Sequence, residues 1–310
     1  MGKSVLFFLL KLMNKGKKIV MCGCHIGGLN AIKALVNQGY QFDSFVCLTP
    51  EQSIKYQISG YYDYSFMAKD LRIPVYIPES YALTAPSDLE FFQQGSFDLL
   101  VQGGWQRLFP KAVLDVLSIG ALGLHGSADL LPKGRGRSPL NWSLIEGRKR
   151  FLMHLFMIKS GADDGDVIAI SDFDITEFDD IESLYFKYDL SYRRLLTENL
   201  PALLEGNISI FPQIGKPSYY SRRTPEDGQI DWEEMDVWSI YNFVRGQSRP
   251  YPGAYGILDG RTVRVWRSRP FDTRIRYDTA YFGEVVERFG TRLLVNCRGG
   301  MLLIDEWEYV

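Results

Sequence analysis

Residues 18–22, Lys18 followed by the apolar run Ile19 to Cys22, have the pattern of a strand buried on both faces. Leu29, Ile32, Leu35 and Val36 then recur at helical spacing ahead of Gly39, which predicts an amphipathic helix closed by a glycine cap. Apolar runs return at residues 44–48, 75–77, 99–102 and 121–125, with helical stretches between them. That alternation builds a parallel sheet covered by helices. Residues 151–158 are apolar at both parities and predict a central strand; residues 167–171, after an acidic turn containing Gly165, predict its neighbour or hairpin partner.

Ile181, Leu184, Tyr185 and Tyr188 share one helical face, and helical character continues to about residue 205. Residues 212–228 are rich in Pro, Gly and Ser, the texture of a linker. A single helix carrying Val237, Ile240, Tyr241 and Val244 follows, then short strand-like runs at 262–266, 283–287, 293–297 and 301–305 punctuated by glycines. The expected fold class is α/β: a doubly wound, Rossmann-like parallel sheet over residues 18–207, then a linker and a small OB-like β-barrel domain over 208–310. Residues 1–17 read as an N-terminal extension packed on the body. Lys3 and the run Val5 to Leu10 imitate a signal peptide, but Lys11 ends the run and no small-residue cleavage site follows. The expected location is cytoplasmic.

The chain has 310 residues, with 35 basic against 37 acidic side chains and a net charge of -2. That balance supplies no bulk attraction for nucleic acid or an anionic membrane. Cys22, Cys24, Cys47 and Cys297 read as reduced core thiols, and with only His25, His125 and His154 available no Cys/His quartet has zinc spacing. No metal is expected.

In a doubly wound sheet, ligands sit outside the carboxyl ends of the strands. His125 is expected at such an end, followed by the loop 126–139 with three glycines, two prolines and three cations. Residues 160–166, Ser-Gly-Ala-Asp-Asp-Gly-Asp, form a tight acidic turn between two predicted strands. A histidine and a carboxylate on neighbouring strand ends are the minimum for proton transfer, because the carboxylate fixes the imidazole tautomer. A packed histidine beside an ordinary acidic turn has the same pattern.

Residues 96–111, then His125 with Ser127, Leu131-Pro132, Arg135-Gly136 and Pro139, then residues 161–166, resemble the formyltransferases that use 10-formyltetrahydrofolate. Residues 222–232 (RRTPEDGQIDW), followed by Tyr241-Asn242 and residues 249–254 (RPYPGA), independently resemble the junction and second domain of methionyl-tRNA formyltransferases and sugar N-formyltransferases. The resemblance implies that residues 18–207 are the catalytic domain and that a formyl group passes from the folate co-substrate to a primary amine without a metal. It implies catalytic roles for His125 and Asp163, substrate contacts for Ser127, Arg135 and Asn141, and folate contacts for Trp105, Leu131, Pro132, Gly161 and Asp166. The family's usual catalytic set also contains an Asn two residues before the His; here that position is Gly123, and the loop from His125 to Pro132 is two residues longer than the family spacing.

Residues 48–67 carry Lys55 as their only cation and the tyrosines 56, 61, 62 and 64, where tRNA enzymes of the family are rich in Lys, Arg and Gly. The expected acceptor is therefore an amino sugar, nucleotide-linked and used in surface glycans such as lipopolysaccharide. No nucleic acid partner and no membrane span are expected, and a homodimer is compatible with the resemblance. The alternatives are a methionyl-tRNA formyltransferase-like enzyme and a folate-binding protein with weak or no catalysis. The series Arg261, Arg264, Arg267, Arg269, Arg274 and Arg276 reads mainly as solvated strand faces, with a polyanion contact as the other reading.

Overall fold

A computed structural model describes residues 13–58, 60–277 and 279–310. The sequence expectations for residues 1–12 lie outside the described residues. Just after them Asn14 is buried, its amide donating to the Gln41 carbonyl at 2.7 Å and its oxygen accepting from Gln41 N at 3.0 Å.

The chain forms two compact units that are discontinuous in sequence. One takes residues up to His125, Met153–Ser171 and Tyr188–Pro217; the other takes Gly126–Leu152, Asp172–Lys187 and Ser218–Val310.

The first half folds as β1 (Ile19–Gly23), α1 (Ile26–Asn37), β2 (Ser44–Val46), α2 (Pro50–Lys55), α3 (Ser65–Leu71), β3 (Val75–Tyr76), α4 (Pro86–Gly95), β4 (Leu99–Gly103), α5 (Lys111–Leu114) and β5 (Gly120–Ser127). Then come β6 (Arg135–Gly136), α6 (Pro139–Ile145), β7 (Arg150–Met157), β8 (Val167–Asp174), the long α7 (Ile181–Leu204) and β9 (Tyr219–Tyr220). Seven strands form one sheet in the order β3-β2-β1-β4-β5-β7-β8, and β1 pairs in parallel with both β2 and β4. The strand order reverses between β1 and β4, which makes their carboxyl ends, Gly23 and Gly103, the switch point where such sheets open a crevice. Close packing there admits no side chain: a Cβ on Gly28 of α1 would lie 2.5 Å from the Gly103 carbonyl oxygen.

The predicted strands at 18–22, 44–48, 75–77 and 99–102 are present at nearly those bounds. Two expectations change. The run at 151–158 becomes β7, which is sixth of seven and not central, and β8 runs on to Asp174, past the expected end at 171. Beyond residue 168 the burial of β8 alternates in and out, so its outer half lacks the continuous apolar signal that marks a strand buried on both faces. Its edge is capped by a two-way bridge to Phe211, with Val167 N donating to Phe211 O at 2.7 Å and Phe211 N returning a bond at 2.8 Å. That contact protects an otherwise open strand edge.

The four cysteines are buried and unbridged, and burial pushes the Cys24 thiol up to about 11. Among the described residues no helix is long and apolar enough to cross a membrane.

The C-terminal part consists of a short 3-10 turn (Pro225–Gly228), α8 (Val237–Arg245) and β10 (Ala254–Leu258), β11 (Arg261–Asp272), β12 (Val285–Phe289), β13 (Arg292–Cys297) and β14 (Gly300–Tyr309). The five strands form an antiparallel sheet in the order β10-β11-β14-β13-β12. Val237, Ile240 and Val244 of α8 join Val263, Val265, Leu302 and Ile304 in one core. This is the small β domain expected from sequence, with β10 added and β11 and β14 longer than their apolar runs. The β11–β14 ladder shifts register at Val265/Arg267, Arg267/Ser268 and Pro270/Asp272, and such bulges break the two-residue alternation that a sequence reading follows.

Candidate functional site

β5 projects alternate residues to one side, and near its carboxyl end that set includes Gly123 and His125. The strand continues two residues past His125, which therefore stands inside it and not at its tip. His125 Nδ1 lies 3.4 Å from Asp163 Oδ2, with the imidazole only 8% exposed and the carboxylate 24%. The predicted pair is brought together from β5 and from the turn between β7 and β8. A nearly dry imidazole beside a partly wet carboxylate is an arrangement able to take a proton from one reacting group and deliver it to another.

The acidic turn is held in one shape. Asp163 sits in the left-handed region at φ 51°, a conformation that Asp tolerates better than most residues and that clusters at functional sites. Gln213 Nε2 donates to the carbonyls of Asp163 at 2.8 Å and Gly165 at 2.7 Å. The Val167–Phe211 bridge delivers Gln213 to that place. Gly165 admits no side chain, since a Cβ there would fall 1.6 Å from the Met157 carbonyl oxygen. Sequence reasoning assigned Gln213 to a linker and missed it; its partners lie about fifty residues away in the chain, and only folding shows the contact.

Beside His125 stands the fully buried His154 of β7, hydrogen-bonded to the His125 backbone. Burial, reinforced by the neighbouring His125, lowers its pKa from the ordinary 6.5 to about 4. The folded state thus holds His154 neutral while an unfolded chain would protonate it first. Its contribution to stability is complete above pH ~6.5 and falls as the pH drops toward 4, by at most about 3 kcal/mol. Urea midpoints measured between pH 7 and 4 should fall less steeply in His154→Asn than in the wild type; equal slopes would remove His154 from the account. Tyr188 of α7 is held up at about 12, first by burial and then by Asp163 and Asp189, so at neutral pH its phenol keeps its proton and can donate a hydrogen bond.

Gly123 does not open onto empty space. A Cβ built on it would meet Ile158 Cγ1 at 2.8 Å, Phe156 Cζ at 2.9 Å and Ile158 Cδ1 at 3.1 Å. Hydrocarbon fills the volume into which an Asn side chain would project.

The other predicted residues have varied settings. Ser127 is fully buried, its hydroxyl donating to Lys133 O at 3.0 Å and accepting from Asp129 N at 3.2 Å, so it ties the following loop. Leu131 and Pro132 join through a cis peptide. Arg135 is buried on β6, which pairs with β9, and reaches the Tyr219 hydroxyl at 3.3 Å. Asn141 donates to Gly246 O at 2.8 Å, at the end of α8, and its own Oδ1 is buried without a hydrogen-bond partner among the described residues. Trp105 is buried against Tyr81 and Phe109, with Nε1 lacking a hydrogen-bond partner among the described residues. Gly161 is closed in by Asp164, and Asp166 pairs with Lys159 at 2.8 Å. Of the tyrosines at 56–64, Tyr64 is core, donating to the His25 carbonyl at 2.6 Å, and Tyr61 bonds Leu48 O at 2.9 Å, whereas Tyr62 is exposed.

Residues 80–200 match the family described as "Formyl transferase", and residues 222–309 match "Formyl transferase, C-terminal domain". Among solved structures, HypX from Aquifex aeolicus in complex with tetrahydrofolic acid is 18% identical with a TM-score of 0.64, over 94% of this chain and 44% of that one. The protein thus spans under half the length of HypX. An N-formyltransferase from Helicobacter canadensis, in complex with folinic acid and dTDP-3-aminofucose, is 16% identical with a TM-score of 0.70, over 94% of this chain and all of that one. Methionyl-tRNA formyltransferase from Clostridium thermocellum is 15% identical with a TM-score of 0.54, over 95% of this chain and 99% of that one. These likenesses concern the fold; the two family matches, in chain order and covering most of the sequence, are independent of them, and the protein belongs to the formyl transferase family.

Proposed function

We propose that the protein is a cytoplasmic N-formyltransferase that moves a formyl group from 10-formyltetrahydrofolate to the primary amine of an amino sugar, nucleotide-linked and used in surface glycan synthesis. The observation that carries the reading is the His125–Asp163 pair at 3.4 Å, formed between the last residues of β5 and the turn that follows β7. Trp105, Leu131, Pro132, Gly161 and Asp166 form the proposed folate set. The buried, unpartnered indole nitrogen of Trp105 fits a polar ligand, because a buried donor without a partner costs stability that a bound acceptor restores. Ser127, Arg135 and Asn141 are proposed on the acceptor side, with Ser127 acting through the loop it ties.

Formyl transfer replaces the bond from N10 to the formyl carbon with one from the amine nitrogen. One proton must leave the amine and one must reach N10. Asp163 accepts the proton as the amine becomes cationic, and His125 donates toward N10 and toward the negative charge growing on the formyl oxygen. With Gly123 surrounded by Ile158 and Phe156, no side chain from that position assists, and the Tyr188 phenol is the neighbouring group that keeps a proton to give.

The test is a panel of nucleotide-linked amino sugars incubated with 10-formyltetrahydrofolate, with formylated product read by mass spectrometry. Transfer to at least one sugar, unaffected by chelators, is expected. Turnover with formyl-CoA alone, or salt-sensitive formylation of an aminoacyl-tRNA in preference to every sugar, would overturn the assignment.

A further inference from the structure

The unit that holds the C-terminal sheet contains a cavity of about 760 Å³, within the size range of small-molecule sites. The chain leading from β8 into α7 contributes Glu177, Phe178 and Asp180 to one wall; β11 contributes Trp266, Arg267 and Ser268 to another. Two exposed aromatic residues line it: Phe178 is 88% exposed and Trp238, on α8, is 48% exposed. Arg267 sits at a register shift of the β11–β14 ladder and has no ion pair among the described residues.

Two buried polar groups on this wall lack hydrogen-bond partners among the described residues: Ser268 Oγ, in a residue only 5% exposed, and Trp266 Nε1. Buried polar atoms are satisfied in the great majority of native sites, so these two atoms on one wall take their partner from water or from a bound molecule.

The charge pattern narrows its chemistry. Five arginines line the cavity against six carboxylates. Several are already committed: Asp305 is held by Arg269 at 3.4 Å and Arg292 at 3.2 Å, and Arg249 pairs with Glu306 at 2.6 Å while lying 4.2 Å from the Trp266 ring centre. A phosphate drawn to Arg267 would also face Glu177, Asp180 and Glu182, and like charges in a partly dry cavity repel. A neutral polyhydroxyl ligand has no such conflict. Each hydroxyl both donates and accepts, so it can serve a carboxylate and a guanidinium together, while the C–H face of a sugar ring packs on an indole.

We propose that this cavity is a binding site for neutral carbohydrate, separate from the formyl-transfer site. The Arg267 and Arg269 side chains, read from sequence as solvated strand positions, then line a ligand groove.

The experiment titrates the full chain with maltotriose and with N,N'-diacetylchitobiose, reading tryptophan fluorescence and heat, with inorganic pyrophosphate and UDP alongside. Saturable binding of at least one saccharide is expected, tighter than either phosphate, and weakened roughly tenfold or more in both Trp238→Ala and Arg267→Ala. Melting curves confirm that both variants fold. Formyl transfer should be unchanged in them, and His125→Ala should bind the saccharide as the wild type does, so failure of the transfer reading leaves this result standing. No saturation with either saccharide, preference for pyrophosphate or UDP, or a self-associating wild type that Trp238→Ala renders monomeric would overturn the proposal.

Discussion

His125→Ala lowers kcat by roughly 100-fold or more, since positioned acid-base groups contribute ~10² to 10⁴. The expectation follows from where the imidazole stands. It is 8% exposed, 3.4 Å from Asp163, and fixed on a strand interior, so water cannot readily take over its role after truncation. Asp163→Asn is the matching change, because Asn accepts the left-handed backbone at φ 51° that the turn requires while losing the ability to take a proton. Its kcat should fall by a similar factor. The double variant should cost little more than either single one, since the two groups act as a unit. Folate affinity, measured by equilibrium titration, should change much less than kcat. Near-normal kcat in His125→Ala on the natural acceptor would return the residue to a purely structural role and leave Asp163 without its partner.

The pair was legible in the sequence because both members stand where short-range pattern and topology coincide. An apolar strand ending in a polar residue, and a Gly-Asp turn between two strands, are local signals. What holds them in place is not local. Gln213 reaches the turn from a segment whose composition reads as a linker, delivered by a bridge between Val167 and Phe211. His154 reads simply as one polar residue in an apolar strand, yet it is bonded to the His125 backbone and kept neutral by burial. The sheet follows the same division. Strands β1 to β4 are continuous apolar runs and appear as expected, whereas the outer half of β8 alternates and β11 carries bulges, so their ends are set by ladder geometry that periodicity does not encode. The arginine series from Arg261 to Arg276 reads in the sequence mainly as solvated strand faces, with a polyanion contact as the other reading. The fold separates them: Arg261 stacks on Tyr309 with its guanidinium 3.5 Å from the ring centre, Arg264 pairs with Glu308 at 3.2 Å, and Arg267 turns to the cavity.

Gly123→Asn, which restores the residue type usual in the family at this position, should lower both stability and kcat. In a site built to use such a donor, removing it costs about 2.7 to 4 kcal/mol of transition-state stabilisation, and a site merely lacking the group would gain on its return. The surroundings of Gly123 oppose that gain. The new Cβ alone would press on Ile158 Cγ1 at 2.8 Å and Phe156 Cζ at 2.9 Å, and Phe156 is only 4% exposed. Overfilling such a position costs ~1 to 3 kcal/mol. The carboxamide would add the penalty of polar atoms placed among hydrocarbon, another ~1 to 3 kcal/mol where no partner is found. Ile158 cannot withdraw freely, because its backbone nitrogen is bonded to Ala121 O at 2.7 Å and its side chain packs on the core cluster that includes Val20, Leu100 and Ala121. Thermal melts should therefore show Gly123→Asn well below the wild type, with Gly123→Ala between them. The double variant Gly123→Asn/Ile158→Ala separates sterics from chemistry by removing the two atoms of Ile158 that crowd the new side chain. It should recover part of the lost stability, and any benefit of a restored amide donor to kcat should appear there and not in the single variant. A tenfold rise in kcat for Gly123→Asn alone, with an unchanged Tm, would mean that Ile158 and Phe156 swing aside at little cost and that the donor is absent without replacement.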